Sequence, residues 1–207
     1  MEDAALMNIG GFNPNKGGLA SVIGNASTQV CGAAGETTQY VKDFPSLVMA
    51  DGPAGLRLAK EYYKDEKGIH AIGQSAIPDS FLDFMSKPMI FFMKLFTGGN
   101  KGSKEENKIK YQYCTAIPIG TAIAQSFNTE LAEMYGDIVG SEMEMFGVHL
   151  WLAPALNIHR SIRCGRNFEY FSEDPLISGL MAAAITEGVQ KHPGCGTTIK
   201  HYAANNK

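Results

Sequence analysis

The sequence has little of what several classes of protein need. No two of its four cysteines form a CxxC pair, and no two histidines stand at zinc-ligand spacing, which excludes zinc fingers and thioredoxin-like motifs. Lysine and arginine (18) are outnumbered by aspartate and glutamate (21), so there is no excess of positive charge for nucleic acid. The longest apolar cluster, Met85–Phe96, is interrupted by two lysines and a proline and is shorter than the roughly 20 residues of a membrane span.

The beginning of the sequence contains no recognisable targeting signal. Met1–Gly11 is acidic and has no apolar stretch of the kind that a secretory signal carries. We therefore expect a cytoplasmic protein whose cysteines are small buried thiols in a reducing compartment.

The residues that are present suit a folded, loop-rich protein. Hydrophobic residues make up 44% and charged residues 19%, which provides enough apolar side chains for a core and argues against disorder. Glycine (23) and proline (9) are spread along the chain. The length of 207 residues allows one domain, or one domain and a fragment.

The first half of the chain divides into three parts. Residues 1–45 are predicted as a loop-rich segment, in which Cys31–Thr38 (CGAAGETT) is a turn that leads into a helix; it lacks the lysine of a phosphate-binding loop. Ser46–Ala50 is predicted as a buried strand that stops at the turn sequence DGP. Residues of about 60–112 are predicted as an insertion with some helix and an exposed tip.

The second half alternates strands and helices. Asn128 is predicted to cap a helix that stops at Gly147, and Asp174 with Pro175 to begin another. The apolar faces predicted for these helices are Leu131, Met134, Tyr135 and Ile138 for the first and Ile177, Leu180, Met181 and Ala184 for the second. The predicted strands are Gly120–Gln125, His149–Pro154 and Gly196–Lys200. This alternation implies βαβ units and a parallel sheet.

Polar side chains follow the predicted strands. Asp51 comes after the first, Asn157–Arg166 after a later one, and Lys200 with His201 at the end of the last. In a (β/α) barrel these positions lie on the C-terminal face, where active sites are found. The whole polar set is Asp51, Arg57, Arg160, Arg166, Glu169, Glu173, Asp174, Lys200 and His201. Acids that accept hydrogen bonds from hydroxyls, next to bases that donate them, suit a polyhydroxylated ligand.

Several of these residues also have a purely structural explanation. Asp51 could form the turn that DGP favours, and Glu173 and Asp174 could be helix-start residues that meet the helix dipole. Arg160 could form an ion pair. From the residues alone, Asp51 and Glu169 could equally be a pair of catalytic carboxylates.

Four segments together resemble glycoside hydrolase family 3, the β-glucosidase family. They are LVMADGPAGLRL (47–58), AIPIGTAIAQSFN (116–128), LAPALNIHRSIRCGRNFEYFSEDP (152–175) and TTIKHYAANN (197–206), in the family's order and spacing apart from the insertion. The resemblance implies an α/β fold in residues 46–207, the N-terminal part only of a (β/α)8 TIM-barrel-like domain. A full barrel takes about 250 residues, and only about four strands are predicted here.

The resemblance also assigns roles to individual residues. It places Asp51, Arg57, Arg166, Lys200 and His201 around the sugar in the −1 subsite. The resemblance argues against Asp51 and Glu169 as the catalytic carboxylates. In family members the nucleophile is an Asp in an SDW-type motif of a later strand, and the acid/base comes from further downstream. No such motif occurs in these residues, so both catalytic carboxylates are expected beyond Lys207.

The activity that the resemblance implies is retaining hydrolysis of O-glycosidic bonds, with release of β-linked glucose or a related sugar from the non-reducing end. The sequence KHYAANN (200–206), where an N-acetylglucosaminide-hydrolysing branch has KHFPGHG, favours the β-glucosidase and β-xylosidase branch. The chain by itself is expected to be inactive. The alternative is a non-catalytic sugar-binding remnant.

The resemblance implies no metal and no organic cofactor. The expected partner is a β-glucoside or a related glycoside, with no nucleic acid and no membrane. The insertion at 60–112 is a candidate surface for a homo-oligomer.

Overall fold

The structure is a computed structural model that describes residues 27–37, 43–66, 68–72, 86–89, 109–202 and 205. Its strands are β1 (Gly35–Thr37), β2 (Leu47–Ala50), β3 (Glu61–Asp65), β4 (Gly68–Ala71), β5 (Lys110–Tyr111), β6 (Leu150–Trp151) and β7 (Gly196–Thr197). Its helices are α1 (Gly120–Ala124), α2 (Thr129–Phe146) and α3 (Pro175–Gln190), and Asn167–Glu169 forms a single 3₁₀ turn.

The main sheet has the strand order β1-β2-β6-β7. β2 pairs with β6 and β6 with β7 in parallel, in a register that places Met49 opposite Leu150 and Leu150 opposite Gly196. An isolated bridge between Ala155 and Lys200 extends the parallel pairing past β7. The predicted parallel sheet and the predicted strand at β2 are confirmed, with helices α2 and α3 connecting the strands as in βαβ units.

The antiparallel edge strand β1 lies inside the segment that was predicted as loop-rich. It pairs with β2, with Gly35 opposite Met49. The helix predicted after Cys31 is therefore wrong: the turn at this cysteine leads into a strand. Short polar and glycine-rich strands give no clear alternation, and β1 is defined by its pairing with β2 rather than by its own pattern.

Part of the predicted insertion forms a second, separate sheet. The order is β4-β3-β5, all antiparallel, and β3 and β4 form a hairpin. The apolar cluster Met85–Phe96 lies mostly outside the described residues.

Helix α2 begins and ends at the predicted residues, and α3 begins at the predicted residue. The Asn128 side chain accepts a hydrogen bond from the Leu131 N–H at 3.1 Å, and Gly147 ends α2 with φ of 73°. The Asp174 side chain accepts from the Leu176 N–H at 2.7 Å, and Pro175 occupies the first turn of α3.

The buried faces of these two helices differ from the predicted ones. Of the face predicted for α2 only Tyr135 is buried, while Leu131, Met134 and Ile138 are exposed. On α3, Met181 and Ala184 are buried, Ile177 is half-buried and Leu180 is exposed. The reason is that the two helices pack against each other through small residues: a Cβ on Gly188 of α3 would lie 2.1 Å from the Glu133 carbonyl oxygen of α2. An apolar stripe in the sequence does not reveal a contact made by glycines.

The strand predicted at Gly120–Gln125 is wrong, because Gly120–Ala124 is helix α1. A short apolar run is ambiguous between strand and helix by periodicity. Tertiary contacts accompany the helix here: the Thr121 hydroxyl donates to the Tyr170 carbonyl at 2.8 Å, and Gly120 lies against the backbone of Glu169.

The core lies between the main sheet and the two long helices. Its largest buried side chains include Val48 of β2, Trp151 of β6, Val139 and Met143 of α2 and Ile185 of α3. None of the helices in the described ranges has the length and apolar character that crossing a membrane requires.

Candidate functional site

The turn after β2 carries Asp51 and is held by buried side chains of other elements. Gly52 has φ of 117°, which L side chains rarely adopt, and a Cβ there would lie 2.0 Å from a backbone carbonyl oxygen. The indole N–H of Trp151 donates to the Gly52 carbonyl at 3.0 Å, and the Tyr135 hydroxyl donates to the Pro53 carbonyl at 2.5 Å. These contacts fix Asp51 at the carboxyl end of β2.

Asp51 is paired with two cations. Lys200 Nζ donates to Oδ1 of Asp51 at 2.9 Å, and Nη1 of Arg57 lies 3.8 Å from Oδ2. The Lys200 side chain is 15% exposed and that of Arg57 73%, so solvent screens the Lys200 pair less. Burial raises the pKa of the Asp51 carboxyl, but Lys200, the Gly52 N–H and Arg57 outweigh it and leave the pKa below its usual value of 3.8. Asp51 is therefore an anion at neutral pH and accepts hydrogen bonds.

Arg166 and Glu169 form a second charged pair. Nε of Arg166 donates to Oε1 of Glu169, whose side chain is buried while the arginine is half-exposed. The 3₁₀ turn places Arg166 and Glu169, which are three positions apart, on the same side. Nδ2 of Asn167 donates to the Ser161 carbonyl at 2.8 Å and stabilises this turn. The hydrogen bond to Glu169 raises the pKa of the Arg166 guanidinium, and the negative charge of Asp51 adds to this.

His201 lies against Tyr170 and Asn157. Its backbone N–H donates to Oδ1 of Asn157 at 2.7 Å, and its Nδ1 is 2.9 Å from the Tyr170 hydroxyl. The two rings meet edge to face with centroids 5.8 Å apart. Burial lowers the pKa of His201, and the positive charges of Arg166 and Lys200 lower it further, so the imidazole is neutral at pH 7.

A cleft of about 220 Å³ opens beside the Asp51 turn. Its charged lining consists of Asp51, Arg57, Arg166 and Glu169, and the rest is formed by Pro53, Ala54, Ile119, Gly120 and Phe168. Apolar walls with a few convergent polar groups are typical of a small-molecule site. The charges on this lining, two acids and two bases, suit a ligand that both donates and accepts hydrogen bonds.

The structure brings the five predicted site residues together to different degrees. Asp51, Arg57 and Arg166 line the cleft, and Lys200 is ion-paired with Asp51. His201 is not part of the cleft lining that the described residues form, but it is close enough for the charges of Arg166 and Lys200 to affect its pKa. That these five residues bind a sugar stays a prediction.

The rest of the predicted polar set divides between two places. Glu169 lines the same cleft as Asp51. Glu173 lines a separate cavity of about 210 Å³ together with His159. Asp174 is exposed and caps α3, as its structural explanation predicted, and Arg160 is exposed.

Sequence reasoning missed the residues that hold the site residues in place. Asn157, Tyr170 and Asn205 form hydrogen bonds around His201, and Trp151 and Tyr135 hold the Asp51 turn. Asn157, Tyr170 and Asn205 stand in segments that carry the resemblance, Trp151 in the predicted strand His149–Pro154, and Tyr135 in the helix predicted after Asn128. No local pattern could have assigned these contacts, because all five join residues 31 to 99 positions apart.

The described part of the chain contains no group of three or more His, Cys, Asp or Glu side chains placed to hold a metal ion. Cys31 and Cys164 are buried, and Cys114 and Cys195 are half-buried. Burial raises the pKa of the Cys114 thiol to about 12, so this thiol is protonated at neutral pH.

Known proteins resemble the chain in both sequence and structure. It is 45% identical over 93 residues to β-glucosidase A of Butyrivibrio fibrisolvens, an alignment that covers 45% of this chain and 11% of that protein. It is 46% identical over 93 residues to thermostable β-glucosidase B of Acetivibrio thermocellus, covering 45% of this chain and 12% of that protein. The structure of β-glucosidase 3B from Thermotoga neapolitana in complex with glucose matches with a TM-score of 0.66 and 36% identity, over 100% of this chain and 22% of that chain.

The chain thus spans about a ninth of the curated relatives and about a fifth of the solved structure. The model of the glycosyl hydrolase family 3 N-terminal domain matches residues 101–207, slightly more than half of the chain. This region contains α1, α2, α3, the Arg166–Glu169 pair and the Lys200–His201 segment. The chain therefore belongs to glycosyl hydrolase family 3.

Proposed function

We propose that the protein to which this chain belongs hydrolyses β-glucosides or closely related β-glycosides with retention of configuration, and that this chain supplies the sugar-binding side of the active site. The observation that carries the proposal is the Asp51–Lys200 ion pair at the carboxyl ends of the parallel strands, beside a cleft that Arg57 and Arg166 also line. The similarity to β-glucosidases, one of them a glucose complex, supports glucose as the sugar.

The charged groups of the cleft suit the hydroxyls of a pyranose. Asp51 is anionic and accepts hydrogen bonds, while the guanidinium groups of Arg57 and Arg166 donate them. Bonds of this kind to charged groups are shorter and stronger than bonds between neutral groups. If they tighten as the ring distorts towards the oxocarbenium-like transition state, they contribute to catalysis and not only to affinity.

The bond-breaking groups of a retaining glycosidase are two carboxylates about 5–5.5 Å apart. One attacks the anomeric carbon and forms a glycosyl–enzyme ester, while the other protonates the leaving oxygen and later deprotonates the attacking water. In our proposal both come from sequence beyond Lys207. Glu169, which also lines the cleft, is bonded to Arg166 and serves to hold that arginine.

The proposal extends to the fold and to the location of the protein. We place β2, β6 and β7 as successive parallel strands of a (β/α)8 barrel. The C-terminal face of this barrel would carry Asp51, Arg166 and Lys200, and active sites of such barrels lie on that face. A cytoplasmic location and a homo-oligomer formed through residues 60–112 stay predictions of the sequence.

The test is an assay of the intact natural protein with p-nitrophenyl β-D-glucoside, with the N-acetylglucosaminide as the matched control substrate. We expect turnover of the glucoside and little of the control. The anomer of glucose that forms first, followed by proton NMR, is expected to be β. Formation of the α-anomer would refute retention, and binding of glucose without any turnover would favour the non-catalytic sugar-binding alternative.

A further inference from the structure

The Tyr170 hydroxyl lies at the centre of a short hydrogen-bond chain behind His201. The Tyr170 side chain is fully buried. Its hydroxyl oxygen is 2.8 Å from Nδ2 of Asn205 and 2.9 Å from Nδ1 of His201. The backbone N–H of His201 is held separately by Asn157, so the ring is fixed both through its backbone and through Nδ1.

The positions of the protons follow from counting donors and acceptors. An amide nitrogen donates and does not accept, so the Tyr170 oxygen accepts the bond from Asn205. The hydroxyl carries one proton, and among the described residues its other hydrogen-bond partner is Nδ1 of His201. If Nδ1 carried a proton instead, the buried O–H would lack an acceptor there, which is costly. Nδ1 is therefore the acceptor.

A neutral imidazole with Nδ1 as acceptor carries its proton on Nε2. Burial of the ring and the nearby cations Arg166 and Lys200 disfavour a second proton and lower the pKa of His201, and the opposite effect of Glu169 and Asp51 is smaller. Nε2 makes no hydrogen bond to any residue within the described ranges. It is thus a donor that is left for a ligand.

We propose that Tyr170 and Asn205 are positioning residues that hold His201 in the tautomer protonated at Nε2, so that this nitrogen donates a hydrogen bond to a sugar hydroxyl. The ligand part of this inference rests on the proposed function. The tautomer itself follows from the hydrogen-bond chain and is measured without substrate. The two parts therefore fail independently.

The first measurement is the tautomer of His201 in the intact protein, read from the two imidazole nitrogens in long-range ¹H–¹⁵N correlation spectra. We assign the signals by their loss in His201→Gln. The wild-type protein is expected to show a protonated Nε2 and an unprotonated Nδ1. A protonated Nδ1 would overturn the proposal, and this result does not require any other variant to fold.

Two variants then test the chain of bonds. Tyr170→Phe keeps the ring and removes the hydroxyl, so we expect a mixture of both tautomers. Asn205→Asp replaces the amide donor with a carboxylate, which accepts the Tyr170 proton and reverses the preference towards Nδ1–H. Tyr202→Phe is the matched control, because Tyr202 is adjacent to His201 and fully exposed, and it should leave the spectrum unchanged. An unchanged tautomer in both Tyr170→Phe and Asn205→Asp would refute the positioning role.

The same variants connect the tautomer to the proposed activity. With p-nitrophenyl β-D-glucoside we expect Tyr170→Phe to lower kcat/KM about three- to tenfold, the range for one neutral hydrogen bond, and Tyr202→Phe to have no effect. A normal kcat/KM in a Tyr170→Phe protein with mixed tautomers would refute the role of Nε2 in binding. An inactive wild-type protein with the Nε2–H tautomer would refute the glycosidase function and support the hydrogen-bond chain.

Discussion

At the scale of single residues, two carboxylates of this molecule, one buried and one partly buried, are each held by several donors. Glu36 accepts from Ser27, Thr28, Gln29 and Ser46, and Asp51 is paired with Lys200 and Arg57. A carboxylate that leaves water needs such partners, because an isolated buried charge is far too costly. The partners differ in kind: those of Glu36 belong to neighbouring sequence, whereas Lys200 is 149 positions from Asp51.

Replacement of Asp51 tests the sugar-binding role of this residue in the intact protein. We expect both Asp51→Ala and Asp51→Asn to lower kcat/KM for the glucoside on the order of ten- to more than hundredfold per lost bond, because hydrogen bonds to a charged group contribute roughly 1.5–3 kcal/mol each. Steady-state kinetics on the folded protein measure the effect. Asn keeps the preference for the turn, so it separates binding from structure.

The matched control for Asp51→Asn is Asp174→Asn. Asp174 caps α3, and Asn is an equally good cap, so activity and stability should both stay close to wild type. Nearly normal kcat/KM in Asp51→Asn would show that Asp51 only forms the turn.

Glu36 is expected to stabilise the first strand in a pH-dependent way. Burial raises the pKa of this carboxyl, but the hydrogen bonds from Ser27, Thr28 and Gln29 outweigh it and leave the pKa below 4.5. The stabilisation is therefore complete above about pH 4.5 and is lost as the pH falls through the lower folded pKa. We expect Glu36→Gln to lower the free energy of unfolding by about 1–3 kcal/mol at pH 7 and by less at pH 3.

Chemical denaturation at the two pH values measures this difference. Glu66→Gln, at an exposed turn position, is the control and should change little at either pH. An equal loss of stability at pH 7 and pH 3 in Glu36→Gln would contradict the role of the carboxylate charge.

At the scale of elements, the contact between α2 and α3 depends on glycines. A Cβ on Gly188 would lie 2.1 Å from the Glu133 carbonyl oxygen and 2.7 Å from the Asp137 N, which are backbone atoms that cannot turn aside. We expect Gly188→Ala to lower the free energy of unfolding by about 1–3 kcal/mol, since the helices must move apart. Thermal or urea unfolding measures it.

The control for this substitution lies on the same helix. Gly179 is exposed, and a Cβ there meets nothing within 4 Å, so Gly179→Ala should stabilise the protein by about 0.5–1 kcal/mol through helix propensity. If both alanines had the same effect, the close approach of the helices would not be what selects glycine at position 188.

His192 links the end of α3 to α2 through two acids. Its Nδ1 is 3.1 Å from Glu144 and its Nε2 is 3.0 Å from Asp137. The hydrogen bond to Glu144 raises the pKa of His192 above 6.5, and Asp137 adds to this against the smaller effect of burial. The stabilisation is therefore complete below about pH 6.5 and is lost as the pH rises through the raised folded pKa.

We expect His192→Gln to cost more stability at pH 5.5 than at pH 9, as measured by urea unfolding at both values. In 1 M salt the difference should shrink, because both acids are exposed and their charges are screened. A cost that is the same at both pH values would mean that His192 contributes by packing alone.

At the scale of the whole molecule, the main sheet is compared with the barrel that we propose. The described sheet contains three parallel strands and one antiparallel edge strand, whereas a full barrel has eight parallel strands. The exposed apolar residues Leu131, Met134 and Ile138 of α2 form a stripe along one face of the helix. Asp51 follows β2 and Lys200 follows β7, two parallel strands of the main sheet with β6 between them.

The whole-molecule prediction is that the 207-residue chain alone has no glycosidase activity. In our proposal its cleft carries the sugar-binding groups, while the nucleophile and the acid/base lie beyond Lys207. Incubation of the purified chain with p-nitrophenyl β-D-glucoside measures this, with the intact protein as the positive control. Turnover by the chain close to that of the intact protein would contradict it and would return Asp51 and Glu169 to consideration as the catalytic pair.

The sequence by itself determined the features that depend on neighbouring residues. Both ends of α2 and the start of α3 were predictable because Asn and Asp are favoured N-caps and the left-handed end of α2 favours Gly. The strand before Asp51 was predictable from its short apolar run and the following DGP turn. The family was predictable because long motifs in the right order do not arise by chance, whereas sugar binding by the five candidate residues stays a prediction.

The tertiary structure alone decided what depends on distant contacts. It made Gly120–Ala124 a helix against the Tyr170 segment, placed the small residues of α2 towards α3, and joined β1 to the main sheet. It also brought Tyr170 and Asn205 behind His201. The physical reason is the same in each case. A local pattern determines which backbone conformations are low in free energy, whereas the partner that satisfies a buried hydrogen bond or completes a packing contact comes from a remote part of the chain.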